Sequence, residues 1–268
     1  YDHRAVNSCT LAGVRVTLTT NGLNQQNIEL RNAKGETSAV YDDQCGLVTY
    51  DYDAVGNLTR VTSADGHVVT MSYDRAGRKT SMNDPDKGYW QYAYNAMGEM
   101  TRQLDSKNQA VDFSYDSLGR VTIRRELKNV SSLSQTSTTT VNKESTSYKT
   151  SGNGRGQVNS VTYRAGEAGA ALHKKTFVYD VFGRVSTVST TFDNVEQFVE
   201  ETTYDQHSRV FQQFDASGDD HGLRYVYSNG YLSKIKEARE GIEGVVYQDI
   251  LTMDARGNVT TMQLDNGV

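Results

Sequence analysis

Short runs in which apolar and polar residues alternate recur along the chain, and a polar turn closes each run. The run VTYDY at 48–52 leads into DAVGN, and the run LTRVT at 58–62 leads into SADG. Alternation with a period of two places every second side chain on the same face of a β-strand. The pattern therefore predicts a succession of short antiparallel hairpins.

The turns return at a fixed interval of 21 residues. In the first half of the chain this interval separates the glycines Gly35, Gly56, Gly77, Gly98 and Gly119. A second series of polar turns, out of phase with the first, begins at Asp42, Ser63, Asp84 and Asp105. One period thus contains two turns and two strands, which predicts a meander of hairpins.

A recurring phrase accompanies the first series of turns, and it survives after residue 125, where the spacing loosens. We expect its Tyr, Asp and Gly residues to define the repeat as a structural motif. They are Tyr52, Asp53, Gly56, Tyr73, Asp74, Gly77, Tyr94, Gly98, Tyr115, Asp116, Gly119, Tyr179, Asp180, Gly183, Tyr204, Asp205, Asp254 and Gly257.

Each position of the phrase YDAVGNL at 52–58 has an expected structural role. The carboxylate of Asp53 can accept backbone N–H groups of the turn. Gly56 stands where a hairpin loop needs a left-handed residue, which a Cβ disfavours. Tyr52 is predicted to lie opposite Leu58 across the hairpin. The equivalent predicted pairs are Tyr94 with Met100, Tyr115 with Val121, Tyr179 with Val185 and Tyr204 with Val210. The residue before the glycine (Val55, Ala76, Met97, Leu118 or Phe182) is expected to fold over the hairpin end.

Composition narrows both the fold and the partners. Only 36% of the residues are hydrophobic, which is thin for a thick core, and no predicted helix covers the sheet. Because long sheets twist, we predict an all-β fold in which a repetitive antiparallel hairpin meander forms a long, curved, shell-like sheet. The net charge of −5 argues against nucleic acid as the partner and against an anionic membrane surface.

Three segments follow from the regularity of the repeats. Residues 1–127 hold regular repeats, 128–151 form a Ser/Thr-rich irregular segment or long loop, and 152–268 hold degenerate repeats of the same sheet. Within the Ser/Thr-rich stretch at 131–147, a flexible linker and strands joined by a long loop are both compatible with the composition. The charged stretch KIKEAREGIEG at 234–244 fits a strand, turn and strand, with a helix as the alternative.

Cys9 and Cys45 are the two cysteines of the sequence. Their separation matches no metal-site spacing, so we interpret them as free thiols. A single disulfide between them is the alternative if the protein is exported.

We expect no catalytic, cofactor-binding or metal site. The repeated aspartates invite comparison with a glycosidase pair, but equivalent carboxylates in neighbouring hairpins would stand about 10 Å apart, and no pair differs from the others. DPDKG at 84–88 lacks the later glycine and glutamate of a calcium loop, and SGDDHG at 217–222 lacks further ligands nearby. We interpret these residues as turn residues and predict that the segment is not an enzyme.

The phrases YDRAGRKTSMNDPDKGYWQYAYNAMGEM and MDARGNVTTMQLDNG resemble the YD-repeat, or RHS, family, and the resemblance extends over residues 25–268. That family includes bacterial RHS polymorphic toxins, the B and C components of insecticidal toxin complexes and the animal teneurins. In it, the repeats wind a long β-sheet into a hollow shell, which in bacterial toxins holds a cytotoxic C-terminal domain until delivery.

The resemblance implies that this chain is a wall segment of such a shell, secreted or at the bacterial cell surface. Its partners would be the rest of its own polypeptide, namely further repeats and the toxin cargo. Self-association through free sheet edges is a further expectation. An extracellular interaction or adhesion module that binds protein or glycan is the alternative, suggested by the likeness to teneurins.

Overall fold

The computed structural model describes residues 15–22, 25–42, 44–193, 195–217, 222–238 and 244–264. These residues form 21 β-strands and contain no helix. The strands are β1 (Arg15–Thr20), β2 (Gln26–Arg31), β3 (Thr37–Tyr41), β4 (Leu47–Tyr52), β5 (Leu58–Thr62), β6 (Val68–Tyr73), β7 (Lys79–Asp84), β8 (Gly88–Tyr94), β9 (Met100–Leu104), β10 (Gln109–Tyr115), β11 (Val121–Lys128), β12 (Thr139–Tyr148), β13 (Val158–Ala165), β14 (Ala171–Tyr179), β15 (Val185–Phe192), β16 (Glu196–Tyr204), β17 (Val210–Phe214), β18 (Gly222–Ser228), β19 (Tyr231–Ala238), β20 (Val246–Met253) and β21 (Val259–Leu264). The predicted all-β fold class is confirmed.

The chain divides into two compact units. The first comprises Tyr1–Phe113 and Glu126–Thr139, and the second comprises Ser114–Arg125 and Thr140–Val268. In the first unit, consecutive strands from β1 to β10 pair antiparallel. In the second unit, consecutive strands from β12 to β21 do the same. The predicted segment boundaries stay a prediction.

The motif tyrosine ends its strand opposite the residue that opens the next strand. Tyr52 pairs with Leu58, and the register shifts between Asp51 and Tyr52 because one strand carries an extra residue at this bulge. The predicted pairings of Tyr94 with Met100, Tyr179 with Val185 and Tyr204 with Val210 are also observed. The hairpin register therefore follows from the length of the turn.

Little apolar surface is buried in the described strands. One cluster in the first unit joins Ile28 and Leu30 of β2 to Ala39 of β3, with Tyr41 and Leu47 packed against it. Most other strand side chains are only half-buried. The fold consequently depends largely on hydrogen bonds between strands and within turns for the stability that a thick hydrophobic core supplies in other folds.

The loop at 129–138, between β11 and β12, packs onto the first unit. Val130 is completely buried in a cluster with Leu104, Ala110 and Leu127. Its N–H donates to the carbonyl of Asn108 at 2.9 Å. Since β12 begins at residue 139, the Ser/Thr-rich stretch is a long loop followed by a strand, which is the second of the two alternatives.

The guanidinium of Arg102 holds the same loop from the sheet side. It donates to the backbone carbonyls of Leu133 at 3.0 Å and Gln135 at 2.7 Å. Asp112 on the neighbouring strand accepts from two other nitrogens of Arg102 at 2.5 and 2.6 Å. This bidentate pair fixes the orientation of the guanidinium that the loop carbonyls need.

Cys45 is disulfide-bonded, so the interpretation of the cysteines as free thiols is wrong. The residue occupies the left-handed position of its turn, with φ of 63°. The other cysteine, Cys9, lies outside the described residues.

The charged stretch that begins at residue 234 is extended as far as the structure describes it. Residues 234–238 belong to β19, as the strand interpretation predicts, and Val246 opens β20. Residues 239–243 lie outside the described part of the chain.

Candidate functional site

The YD turn is a five-residue loop closed by its own first residue. In the turn Asp53–Asn57, the N–H of Asp53 donates to the carbonyl of Asn57 at 2.9 Å, and the N–H of Gly56 donates to the carbonyl of Asp53 at 3.2 Å. One carboxylate oxygen of Asp53 also accepts the N–H groups of Val55 and Asn57. Gly56 adopts φ of 96°, a conformation that disfavours any Cβ. The same bonds to the first residue's side chain occur in the turns that begin at Asn32, Asp74, Asn95, Asp116, Asp180, Asp205 and Asp254.

The remaining motif positions are placed consistently. The glycines with positive φ at the fourth turn position are Gly77, Gly98, Gly119, Gly183 and Gly257. In the turn 205–209, Ser208 takes this place with φ of 65°. The tyrosines that close the strands before these turns are Tyr73, Tyr94, Tyr115, Tyr179 and Tyr204. The structure thus brings together the Tyr, Asp and Gly of one repeat in a single turn, and in the described part of the chain it does not gather the motif residues of different repeats into one site.

In the second series, the turn that begins at Asp105 uses the same construction at the other end of its strand. The carboxylate of Asp105 accepts the N–H groups of Lys107 at 2.9 Å and Gln109 at 2.8 Å. Asn108 supplies the left-handed residue, with φ of 60°. The polar turn predicted to begin at Asp105 therefore differs from a YD turn only in its side chains.

Complementary side chains join the first and fifth residues of the YD turns. Where the first residue is Asp, the fifth is a donor: Asp74 accepts from Nε of Arg78 at 2.7 Å. Where the first residue is Asn, the fifth is an acceptor: Asn95 donates to Glu99 at 2.5 Å. The other pairs are Asn32–Glu36, Asp53–Asn57, Asp116–Arg120, Asp180–Arg184, Asp205–Arg209 and Asp254–Asn258. The sequence analysis missed this rule. The signal was present in the sequence, because Arg or Asn stands four positions after each turn Asp and Glu stands four positions after each turn Asn.

These hydrogen bonds keep the turn aspartates ionised. The side-chain amide of Asn57 holds the pKa of Asp53 below its usual value, assisted by backbone N–H groups. The side chain of Arg120 lowers the pKa of Asp116 in the same way. A general acid needs a raised pKa near the working pH, so these carboxylates are suited to accepting hydrogen bonds and unsuited to donating protons.

Exchanging the two kinds of turn pair tests the complementarity. We expect Asn95→Asp to lower the urea midpoint of unfolding, because two carboxylates then face each other across the turn. The double variant Asn95→Asp/Glu99→Arg recreates the pair of the neighbouring turn and is expected to recover at least most of that loss. An equal change at the exposed tip, Ala96→Asp, is the control. A double variant no more stable than Asn95→Asp contradicts the rule.

The hydroxyl of the motif tyrosine reaches back to the preceding YD hairpin. Tyr73 donates to the carbonyl of Leu58, the first residue of β5, at 2.8 Å. The registered pairs of β5 and β6 end at Arg60 and Thr70, so the strands separate before this point. The hydroxyl satisfies a carbonyl that the ladder leaves unpaired. Equivalent bonds join Tyr52 to Thr37, Tyr94 to Lys79, Tyr148 to Val121, Tyr179 to Val158, Tyr204 to Val185 and Tyr227 to Val210, at 2.7–2.9 Å.

Neighbouring YD turns in the first unit are also bonded directly to each other. Nζ of Lys34 donates to the carbonyl of Ala54 at 2.8 Å. Nη1 of Arg78 donates to the carbonyl of Asn95 at 3.1 Å, and the guanidinium lies 5.0 Å from the centre of the Tyr94 ring. The Arg78 side chain therefore serves both its own turn and the next one.

The second unit repeats this arrangement with different donors. Arg120 donates to the carbonyl of Gly156 at 2.8 Å, and its guanidinium lies 4.0 Å from the centre of the Tyr148 ring. Gln157 donates to the carbonyl of Gly183 at 2.7 Å. Turns 116–120, 149–157 and 180–184 thus form a continuous bonded row.

The expectation that the residue before the glycine folds over the hairpin end is wrong. Val55, Met97, Leu118 and Phe182 are 83, 85, 75 and 78% exposed, and Ala76 is exposed as well. The central residues of so short a turn project beyond the last paired residues, where no neighbouring strand offers a surface. The turn is closed by its backbone and carboxylate hydrogen bonds, which do not require this side chain to be covered.

Glu167 in the second unit binds two cations. It accepts from Arg125 at 2.8 Å and from Lys143 at 2.5 Å. These hydrogen bonds, Arg125 first, lower the pKa of Glu167 from 4.5 to about 2. The cluster joins β11, β12 and the turn after β13.

Glu167 should make stability depend on acid pH. Its folded pKa is depressed, so its contribution is present above the unfolded value of 4.5 and is lost as the pH falls through about 2. We expect Glu167→Gln to lower the urea midpoint at pH 7 and to flatten the loss between pH 4.5 and 2. Parallel pH curves for the variant and the wild type would contradict the assignment.

Beyond the turns, the described residues contain few candidates for a metal, ligand or membrane site. Among them no three His, Cys, Asp or Glu side chains are clustered as metal ligands would be. A cavity of about 370 Å³ in the second unit has Glu200, Phe214, Asp215 and Tyr247 in its walls. Asp84 and Asp180 serve as turn caps, whereas SGDDHG lies largely outside the described residues. The described part of the chain also holds no helix long and apolar enough to cross a membrane.

Residues 52–89 match the RHS Repeat family, which confirms the resemblance for this segment. A crystal structure of TcdB2-TccC3-TEV shares 15% identity, with 90% of this chain and 15% of that chain covered, at a TM-score of 0.42. A Photorhabdus luminescens Tc holotoxin pore structure shares 13% identity over 90 and 18% of the two chains, at 0.31. A porin-like protein from Bacteroides uniformis shares 12% identity over 83 and 91%, at 0.30. The chain spans less than a fifth of the Tc structures' length, and no curated protein matches it.

Proposed function

We propose that this chain, whose residues 52–89 form an RHS repeat, is a wall segment that encloses and protects a C-terminal toxin domain until delivery. The observation that carries the proposal is the hydrogen bonding between successive hairpins, by turn side chains such as Arg78 and Arg120 and by tyrosine hydroxyls such as that of Tyr73, in addition to the pairing of the strands. Such lateral bonds give a sheet continuity without a thick core. A barrier requires this property, and a catalytic site does not.

The chemistry of the motif residues supports a structural role without catalysis. Each turn carboxylate is occupied by backbone N–H groups and by the fifth residue, as Asp53 and Asp74 illustrate. Seven tyrosine hydroxyls, that of Tyr73 among them, each donate to a backbone carbonyl. These carboxylates and hydroxyls repeat along the sheet and bond to the protein backbone, so we assign them a structural role.

The proposed partners are the rest of the polypeptide, namely further repeats and the enclosed cargo. Among the described strands, β1 and β21 each have one paired neighbour, so we place the pairing of additional strands, and self-association, at these two strands. Location outside the cytoplasm, secreted or at a bacterial surface, fits the disulfide of Cys45, because such bonds persist in oxidising compartments.

Protection of a downstream domain can be measured in the full-length polypeptide. We expect the coding sequence to continue into a further domain, and that domain to resist protease until the wall is weakened. Gly154→Ala, which crowds the Tyr179 ring, should expose the domain at protease concentrations that leave the wild type intact. Gly152→Ala, which meets no neighbouring atom, is the matched control.

Two outcomes contradict the wall proposal. One is a coding sequence that ends shortly after Val268. The other is a downstream domain that is digested equally fast in the wild type and the Gly154→Ala variant, with the isolated domain as reference.

A further inference from the structure

The cavity of about 370 Å³ in the second unit has the size of a small-molecule site, since such sites measure about 300–1,000 Å³. Leu223 and Tyr247 in its wall are 36 and 40% exposed, so the cavity opens to solvent. A small ligand can therefore enter it. We call it the acidic cavity, and its wall includes Glu200, Phe214, Asp215, Gly222, Leu223 and Tyr247.

Two carboxylates stand in this wall, and the wall contains no lysine, arginine or histidine. The sheet register pairs Glu201 with Phe214, so Glu200 and Asp215 are the next residues along the two neighbouring segments. The side chain of Glu200 makes no hydrogen bond or ion pair with any described residue. Asp215 accepts the N–H of Ser217 at 2.9 Å. Because like charges on neighbouring strands repel, a cation beside both carboxylates is favoured.

The rest of the wall is mainly apolar and aromatic. Phe214 and Tyr247 supply rings, and Leu223 supplies an aliphatic surface. Gly222 makes room for the Phe214 ring, because a Cβ built on it would lie 2.6 Å from a ring atom. Aromatic rings attract organic cations, and apolar side chains cover an aliphatic stem. The acidic cavity is therefore matched to a cation that also has an apolar part.

A metal ion is the less suitable occupant. Calcium takes about six to eight oxygen ligands. Among the residues that the structure describes, no group of three or more His, Cys, Asp or Glu side chains could hold a metal ion. An ion without an apolar part would also leave the Tyr247 ring and the Leu223 side chain unused.

We propose that the acidic cavity binds an alkylammonium group, supplied either by a small free amine or by a lysine side chain of a polypeptide. An ammonium group has three N–H donors and no acceptor, so it suits the carboxylates of Glu200 and Asp215. Its aliphatic stem packs against Leu223 and Tyr247. The proposal goes beyond the wall function and does not depend on what the wall encloses.

The probe is butylammonium, and 1-butanol of nearly equal size is its neutral control. Saturation-transfer NMR titration of the full chain should show that butylammonium binds at least tenfold tighter than 1-butanol. Glu200→Gln should weaken butylammonium binding about tenfold, because it replaces one charge-assisted hydrogen bond by a neutral one, and should leave 1-butanol unchanged. Glu201→Gln removes the same charge from the next residue, which is exposed and outside the cavity wall, and should change neither affinity.

A peptide distinguishes the two sources of the ammonium group. Acetyl-Gly-Lys-Gly-amide carries the same four-carbon stem on a polypeptide backbone. If it binds more tightly than butylammonium, the site is assigned to a lysine side chain. If it binds more weakly, the cavity excludes the backbone and the site is assigned to a free amine. Tyr247→Leu should weaken the preferred ligand severalfold, because it removes the ring beside the cation.

Two results overturn the proposal, provided that circular dichroism shows each variant to be folded. One is equal affinity for butylammonium and 1-butanol. The other is an equal loss of butylammonium binding in Glu200→Gln and Glu201→Gln, which would reflect the general charge of the surface. Displacement of butylammonium by calcium chloride, but not by sodium chloride of equal ionic strength, would assign the carboxylates to a metal ion instead.

Discussion

Gly154→Ala is expected to destabilise the second unit by about 2–5 kcal/mol. Gly154 is buried with φ of 72°, and a Cβ built on it lies 2.4 Å from the ring of Tyr179. The left-handed conformation contributes about 1–2 kcal/mol of this, and overpacking against the ring contributes about 1–3 kcal/mol. The free energy of unfolding from urea titration measures the sum.

The neighbouring Gly152 separates the two contributions. It has nearly the same φ of 71°, and a Cβ there meets nothing within 4 Å. Gly152→Ala should therefore lose only the backbone part, about 1–2 kcal/mol. Equal losses for the two alanine variants would show that the contact with Tyr179 does not matter.

Val130→Asp is expected to release the loop at 129–138 and to destabilise the first unit by about 3–5 kcal/mol. The side chain of Val130 is completely buried against Leu104, Ala110 and Leu127. A carboxylate at this position has no cation beside it in the cluster, and an uncompensated buried charge is strongly destabilising. Urea titration measures the loss, and limited proteolysis reports whether cleavage moves into the loop.

Ser134→Asp adds the same charge to the same loop at an exposed position. Because surface substitutions usually change stability within about 0.5 kcal/mol, it should behave like the wild type. Similar destabilisation by the two aspartates would mean that the loop does not depend on the buried Val130.

Local chemistry explains why the hairpins could be predicted from the sequence. Asp53 and Gly56 determine their turn through bonds that lie within five residues. The position opposite Tyr52 follows from the turn length, so the sequence alone is enough to assign Leu58 to it. Properties encoded within one turn are predictable for this reason.

Longer-range features could not be read from the repeat. The bond from Tyr73 to Leu58 spans fifteen residues and depends on strands separating beyond Arg60 and Thr70. The sequence around Val130 is a low-complexity stretch, and such a sequence does not indicate which face of the sheet the loop covers. The burial of Val130 could therefore not be predicted. The apolar character of Val55 suggested a place over the hairpin end, whereas its exposure follows from the geometry of the turn.

Removing the tyrosine hydroxyls is the most direct test of the central claim that the YD phrase ties neighbouring hairpins together. The triple variant Tyr52→Phe/Tyr73→Phe/Tyr94→Phe keeps the rings and deletes three bonds to backbone carbonyls. At about 0.5–1.5 kcal/mol for each bond, the free energy of unfolding should fall by about 1.5–4.5 kcal/mol. Tyr89→Phe, at a 48% exposed tyrosine outside the motif, should leave it unchanged. A triple variant as stable as Tyr89→Phe would contradict the claim.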